Sequence, residues 1–379
     1  MFPIKLQKYW VNSVALLLKY GNFVNSVPLK YSEIDGQFLA VKSLTSLSLM
    51  FTTLLVMTLD CTYRVWTIYS RPTQQTSIPD FLVEMTNVIG RSGTGIIGWE
   101  LFLRRKRCSM FLNSVVKLDA NLKRKFGTLH SSRYKSLARF IVIVAIVSAL
   151  YPILGTLPQQ IKDRHHPQYW GSQFIPRPVY DKPLVALLFI LYEVNLTFAN
   201  SFAVGLTVSI LYCYIHINSL WLEVVKNRKF SHQGIPISTR LELFSSLKIL
   251  NIFNNEMAAG ILWPTFQNTL LALQVPSHVT LIRFLPNVQP SFVLMVETAL
   301  GLTMIFQGRC ITSGARMFSI SNQFKKDVTQ FGSRFEKKVA KSLNSLRVEV
   351  GSFYFFKMST FTTFVQTNLD TTISLLLTI

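Results

Sequence analysis

The sequence predicts an all-α polytopic membrane protein with seven transmembrane helices, its N-terminus cytoplasmic and its C-terminus extracellular. Composition is the first reason. Of 379 residues, 49% are hydrophobic and only 15% charged, with a mean hydropathy of +0.32, whereas a soluble domain carries about a quarter charged residues. The second is a recurrence of apolar runs of about twenty residues, the length that crosses a bilayer core as a helix. Seven such runs fall at roughly 37–59, 81–103, 136–157, 184–213, 257–275, 291–311 and 358–379. The third is the placement of Lys and Arg. Segments after spans two, four and six are densely basic (Arg104 to Arg107, Lys123 to Lys125, Lys226 to Lys229, Lys325 to Arg347), and those after spans one, three and five are sparsely so. Cytoplasmic loops carry the excess of positive charge, and this fixes the orientation.

The same distribution disposes of the net charge of +21 as a sign of nucleic-acid binding. That function needs a basic soluble face, and here the basic residues occupy gaps between membrane-length apolar runs. Four cysteines without CxxC or His–Cys spacing give no zinc site. Three of them fall at cytoplasmic helix ends, where thiols stay reduced.

The chain divides into four parts. Residues 1–36 read as a cytoplasmic amphipathic lead-in able to lie on the membrane surface. The apolar patch Val11 to Leu18 is short, bracketed by Lys8 and Lys19, and followed by no small-x-small site, so it is not a cleavable signal. Residues 37–313 hold spans one to six. Span two is interrupted by Glu84, Asn87, Arg91 and Glu100, and span five carries Pro264 and Gln267, so both belong among other helices and away from lipid. Residues 314–357 form a cytoplasmic helical segment. There Phe324, Val328, Phe331 and Phe335 recur at helical period and predict packing among protein helices. The outer segment 158–183, rich in Pro and aromatics, is too irregular for a helix and predicts a folded cap, in which His165 and His166 are loop residues. Residues 358–379 form the last span.

Several motifs resolve to packing. Gly93-Thr-Gly95-Ile-Ile-Gly98 matches the dinucleotide fingerprint, with Asp119 about twenty residues on. No clear strand precedes it, and glycines at such spacing let membrane helices approach closely. The sequon at Asn195 lies inside span four, out of reach of glycosylation. No catalytic triad, paired catalytic carboxylates or P-loop is present, no internal repeat of the transporter kind is seen, and no cofactor or metal is called for. The protein is not predicted to be an enzyme.

Ionisable residues inside spans should face the bundle interior, paired or wet. Glu84, Glu193 and Glu297 fall in the outer halves of spans two, four and six, and Tyr151 and Tyr192 lie at similar depth. Aromatic walls with a few polar groups make a small-molecule pocket, so these five are the candidate ligand-binding residues. In the last span a turn of about 100° per residue puts Thr367, Thr371, Ser374 and Thr378 on one face, with Gln366 and Asp370 deeper. So many polar groups in a membrane helix point to a water-lined path.

Inverted seven-span topology, long helical cytoplasmic connections and a pore-like last helix resemble the arthropod gustatory and odorant receptor superfamily. The local hook is Thr371-Thr-Ile-Ser-Leu-Leu-Leu-Thr-Ile379. It is similar to the gustatory C-terminal signature of a Thr-Tyr pair, five apolar residues and Gln-Phe. Thr371 fits, while Thr372, Thr378 and Ile379 stand in place of Tyr, Gln and Phe. The resemblance implies a chemosensory, ligand-gated, non-selective cation channel opened by a small organic tastant or odorant. It further implies a homo- or heterotetramer in the plasma membrane of sensory neurons. In that family the last helix lines the pore, the cytoplasmic helix before it joins an anchor domain, and ligand sits in the outer bundle. Gln366, Thr367, Asp370, Thr371, Ser374 and Thr378 would then line the pore, with Leu375, Leu376 and Ile379 as an apolar gate. The alternatives are an odorant receptor subunit needing a co-receptor, and a secondary transporter using its intramembrane Glu residues.

Overall fold

A computed structural model describes residues 4–70, 77–127, 131–162, 164–226, 235–287 and 290–379. Helix α1 (Ile4–Phe23) leads into a hairpin, β1 (Leu29–Ser32) and β2 (Gln37–Ala40), paired antiparallel with Leu29 opposite Ala40. The lead-in is not laid flat on a surface: Trp10, Val14 and Leu17 are fully buried, and α1 packs on α5 (Ser131–Tyr151) and α9 (Pro183–Lys226). Each such side chain contributes about 1.5–3 kcal/mol when taken fully out of water, enough to seat α1 in the bundle.

Seven long helices coincide with the predicted spans, with shifted ends. Besides α5 and α9 they are α2 (Leu44–Ser70), α3 (Ile78–Leu103), α11 (Leu262–Arg283), α12 (Pro290–Phe331) and α14 (Met358–Thr378). The first starts later than expected because 37–40 are spent in β2, and it runs past residue 59 through Asp60 and Arg64, which are buried. Among the described residues three helical stretches are by length and composition apolar enough to cross a membrane: Leu44–Ser70, Ser132–Lys162 and Pro183–Lys226. The apolar stretch of α9 is 83% buried, against 22% and 33% for the other two, so α9 is the axis of the bundle. At 1.5 Å per residue its 44 residues span about 66 Å, twice a hydrocarbon core.

Helix α3 opens with Ser77 as N-cap, its hydroxyl accepting from Asp80 N, the local chemistry that starts a helix. The glycine motif lies within α3, not at a strand–helix turn. A Cβ on Gly93 would stand 2.1 Å from Thr269 Oγ1 of α11, and one on Gly98 2.8 Å from Leu54 of α2. These two are contact points of the kind the membrane-packing reading expected, while a Cβ on Gly95 would meet nothing within 4 Å. Gly93→Val is expected to lower stability by about 1–3 kcal/mol through overpacking, and Thr269→Gly to restore part of it, read from unfolding midpoints of the purified variants.

Helix α4 (Arg105–Phe126) packs on α10 (Ile237–Ala258), and both meet α9. There Asp119, wholly buried, accepts from Tyr134 (2.6 Å), Trp221 Nε1 (3.0 Å) and Lys123 Nζ (2.6 Å). Burial pulls the Lys123 ammonium below its ordinary value, and Asp119 opposes that shift.

Two regions differ from expectation. The outer segment is partly helical: α5 continues through a π-helical turn at Pro152–Thr156 into α6 (Leu157–Lys162), and short helices α7 (Trp170–Phe174) and α8 (Arg177–Tyr180) follow. The apolar stripe of the segment 314–357 is split. Phe324 and Val328 are buried against α10 and its neighbours, but Gly332 and Ser333 end α12. A capping box between Ser333 and Glu336 then starts α13 (Arg334–Ser342), leaving Phe331 56% and Phe335 74% exposed. A second hairpin, β3 (Glu349–Val350) and β4 (Tyr354–Phe355), turns at Gly351 with φ 62° and leads into α14.

Candidate functional site

A cavity of about 640 Å³ opens between α3, α5, α9, α11 and α12, within the range of small-molecule sites. Its outer end is closed by charge. Arg64 Nε meets Asp60 Oδ2 at 2.9 Å one turn away on α2, and Arg64 Nη2 lies 3.0 Å from both oxygens of Glu193 on α9. Arg91 of α3 spans the same two acids, at 2.6 Å from Asp60 and 2.7 Å from Glu193. Two guanidiniums and two carboxylates cancel, which is how a bundle tolerates them.

The outer segment caps this network. Gln168 Oε1 accepts from Arg64 (3.3 Å) and Asn87 (3.4 Å), and the Tyr169 ring stacks under Arg64 at 5.4 Å. Burial pushes the Tyr169 phenol up to about 12, so it stays a neutral hydrogen-bonding group at the roof. His166 Nε2 lies 3.3 Å from the buried Glu84, while His165 meets Asp181 at 3.1 Å. The adjacent histidines therefore serve separate pairs.

Of the predicted ligand residues, Tyr151 lines the cavity and Glu193 stands behind its roof arginines. Glu84 belongs to the His166 pair. Tyr192 is absent from the cavity lining; its ring meets Trp170 at 5.8 Å and packs against the separate apolar cluster of Met50, Leu54, Met57, Leu196 and Ala199. Glu297 lies on α12, with its side chain outside the described residues. Asp60, Arg64, Gln168 and Tyr169 were not anticipated. The available signal was Asp60-x-x-x-Arg64, an ion pair at one-turn spacing in an apolar helix.

The walls are mostly apolar and aromatic, and α11 adds two polar side chains, Gln274 and Ser277. Gln274 lines the cavity, donates to Gln307 Oε1 of α12 at 3.4 Å and accepts from Asn368 Nδ2 of α14. Thr372 donates to Asn368 Oδ1 at 3.4 Å. All four side chains are buried. The relay connects the cavity wall to the last helix.

The opposite face of α14 is uncovered. Gln366, Thr367, Asp370, Thr371, Ser374 and Thr378 are all exposed. The hydroxyls of Thr367, Thr371, Ser374 and Thr378 each donate to the carbonyl four residues back, at 2.7–2.9 Å. Their protons are thus turned inward and their oxygen lone pairs outward, a surface of hydrogen-bond acceptors. Gln366 Nε2 donates to Asp370 Oδ1 at 2.8 Å. Leu375, Leu376 and Ile379 are half-buried; Leu375 and Ile379 line an apolar groove with Phe81 and Met85 of α3. Leu377, 84% exposed, stands among these polar residues, with Ile373 and Leu369 half-exposed beside them.

No protein-family model matches this sequence, and no curated protein matches it. The structure aligns over 99% of its length, and 99% of the other chain, with the insect olfactory receptor OR5 from Machilis hrabei in complex with eugenol, at a TM-score of 0.73 and 11% identity. A second structure of that receptor aligns over 98% of both chains, at a TM-score of 0.63 and 11% identity. At this identity the likeness is one of fold, and it extends over the whole chain.

Proposed function

We propose that the chain is a chemosensory receptor subunit of the insect odorant and gustatory receptor superfamily, acting as a ligand-gated cation channel. The observation that carries this reading is the exposed polar face of α14: a membrane helix turns six polar side chains away from its own protein only where water or another subunit meets them. Four copies around an axis, each contributing α14, would turn those faces to a common lumen. The seven helices cross the membrane with the N-terminus inside, as the basic connections require, and exposed Phe331 and Phe335 on the cytoplasmic side supply contacts between subunits. The departures at Thr372, Thr378 and Ile379 make it a divergent, gustatory-like member.

A small organic ligand, as eugenol is for the olfactory receptor, occupies the cavity and opens the channel by binding the open arrangement more tightly. Asp370 and the outward hydroxyl oxygens favour cations, and the apolar constriction is formed by Leu377 with Leu375, Leu376 and Ile379 about it. The transporter alternative asks Glu193 to carry a proton, yet Glu193 is held by two arginines, which supports the channel reading.

Whole-cell recording from cells expressing the chain tests it. Leu377→Ser is expected to give a standing leak without ligand, and Asp370→Asn to shift the reversal potential under a salt gradient toward weaker cation preference. Ligand-dependent uptake with no current at confirmed surface expression would reject a channel.

A further inference from the structure

The roof ion pairs account for only part of the cavity's charge. Arg64 and Arg91 are neutralised by Asp60 and Glu193. At the opposite end of the same cavity stand Arg139 of α5 and Arg309 of α12, both exposed, with Ser136 one turn before Arg139. Among the described residues no carboxylate pairs with either guanidinium, and no Asp or Glu lines the cavity. Glu223 on α9 is already taken by Arg133 and Arg316. Glu297 lies twelve residues up α12 from Arg309, about 18 Å at helical rise.

The two cations border an apolar layer. Phe140, next to Arg139, packs on Tyr212 with ring centroids 4.4 Å apart and stacks on Phe306 at 6.1 Å. The Tyr212 hydroxyl hydrogen-bonds Arg309 and orients it. Above this layer Ile143 and Val147 continue the wall. The cavity is thus an apolar slot ending in two uncompensated guanidiniums, whose forked donors match a carboxylate.

We propose that the inner end of the cavity is an anion site and that its ligand class is an amphiphilic monocarboxylic acid of medium chain length. The carboxylate sits between Arg139 and Arg309, and the chain lies along Phe140, Val147 and Phe306. An alcohol of equal length forgoes the charge-assisted bonds, and an amine meets two like charges. This assignment rests on the cavity being the receptor's ligand site. An anionic membrane lipid presents the same chemistry from another source, and the free acid is the occupant assigned here.

The test is equilibrium binding to the purified full-length protein in phosphatidylcholine nanodiscs at neutral pH, with labelled decanoic acid, decanol and decylamine as probes. Decanoate is expected to bind saturably and at least about tenfold more tightly than decanol, the scale of one charged hydrogen bond, with decylamine weakest. Arg139→Gln and Arg309→Gln should each bring decanoate down to the affinity of decanol while leaving decanol unchanged. Equal affinities across the probes, no saturable binding, or an acid preference that survives both substitutions would overturn the proposal. So would displacement of decanoate by phosphatidylglycerol added to the discs, which would assign the site to lipid. Binding is read without current. Acid-selective binding in a protein that never conducts counts against the channel alone, and ligand-evoked currents with no acid preference count against the anion site alone.

Discussion

Glu193→Ala is expected to destabilise the folded protein by about 3–5 kcal/mol, the cost of stripping one partner from a buried ion network. The substitution leaves Arg64, only 2% exposed, and Arg91 facing the single carboxylate of Asp60, an excess positive charge in a largely buried setting. It also frees α9 from α2 and α3 at one point, since Glu193 is the only α9 member of the cluster among the described residues. The double variant Arg91→Ala with Glu193→Ala keeps the Asp60–Arg64 pair and restores neutrality, so it should recover most of the loss, with a coupling well above 0.5 kcal/mol. Unfolding midpoints of purified protein measure both. A single-variant loss under about 1 kcal/mol, the size of a solvated surface pair, would show that water reaches the roof.

What the sequence made legible was whatever depends on periodicity and charge alone. Seven apolar runs became seven long helices, and two of the three motif glycines of span two, Gly93 and Gly98, proved to be sites of close helix approach. Partnership was hidden. Asp60 and Arg64 look like the hydrophilic end of a helix until Glu193, 129 residues away from Arg64, is folded against them. Hydropathy stops a span at its first charge, and the polypeptide continues it when the charge has a buried partner. The same blindness hid Gln168 and Tyr169, whose roles come from a loop folding back over the bundle. It also hid Phe331 and Phe335, which share a stripe with Phe324 and Val328 only if no Gly332-Ser333 break intervenes. On α14 helical geometry alone identified the polar stripe, but not which leucines join it: Leu377 projects among the polar residues because Asn368 and Thr372 turn the other side of the helix into the protein.

Gln274→Leu and Asn368→Leu are each expected to shift the half-maximal ligand concentration by about 5–150-fold, in the same direction, and together by no more than the larger single shift. Gln274 touches the cavity on one side and Asn368 on the other. Either substitution leaves a buried amide short of one hydrogen bond, at a cost of about 1–3 kcal/mol to the conformation that holds the bond. A cost borne by one conformation and not the other is a change in the gating equilibrium, and energies of that size correspond to the stated range. Asn368→Leu is the cleaner arm, because Asn368 is not part of the cavity wall and its loss does not alter ligand contacts. Binding to the isolated site should therefore change little in that variant beyond what the shifted equilibrium transmits, while the current response moves. Additive shifts, or shifts of opposite sign, would show that the two side chains act separately and that α14 is driven through other contacts with α11, such as the Arg283 bond to the Leu376 carbonyl at 2.8 Å.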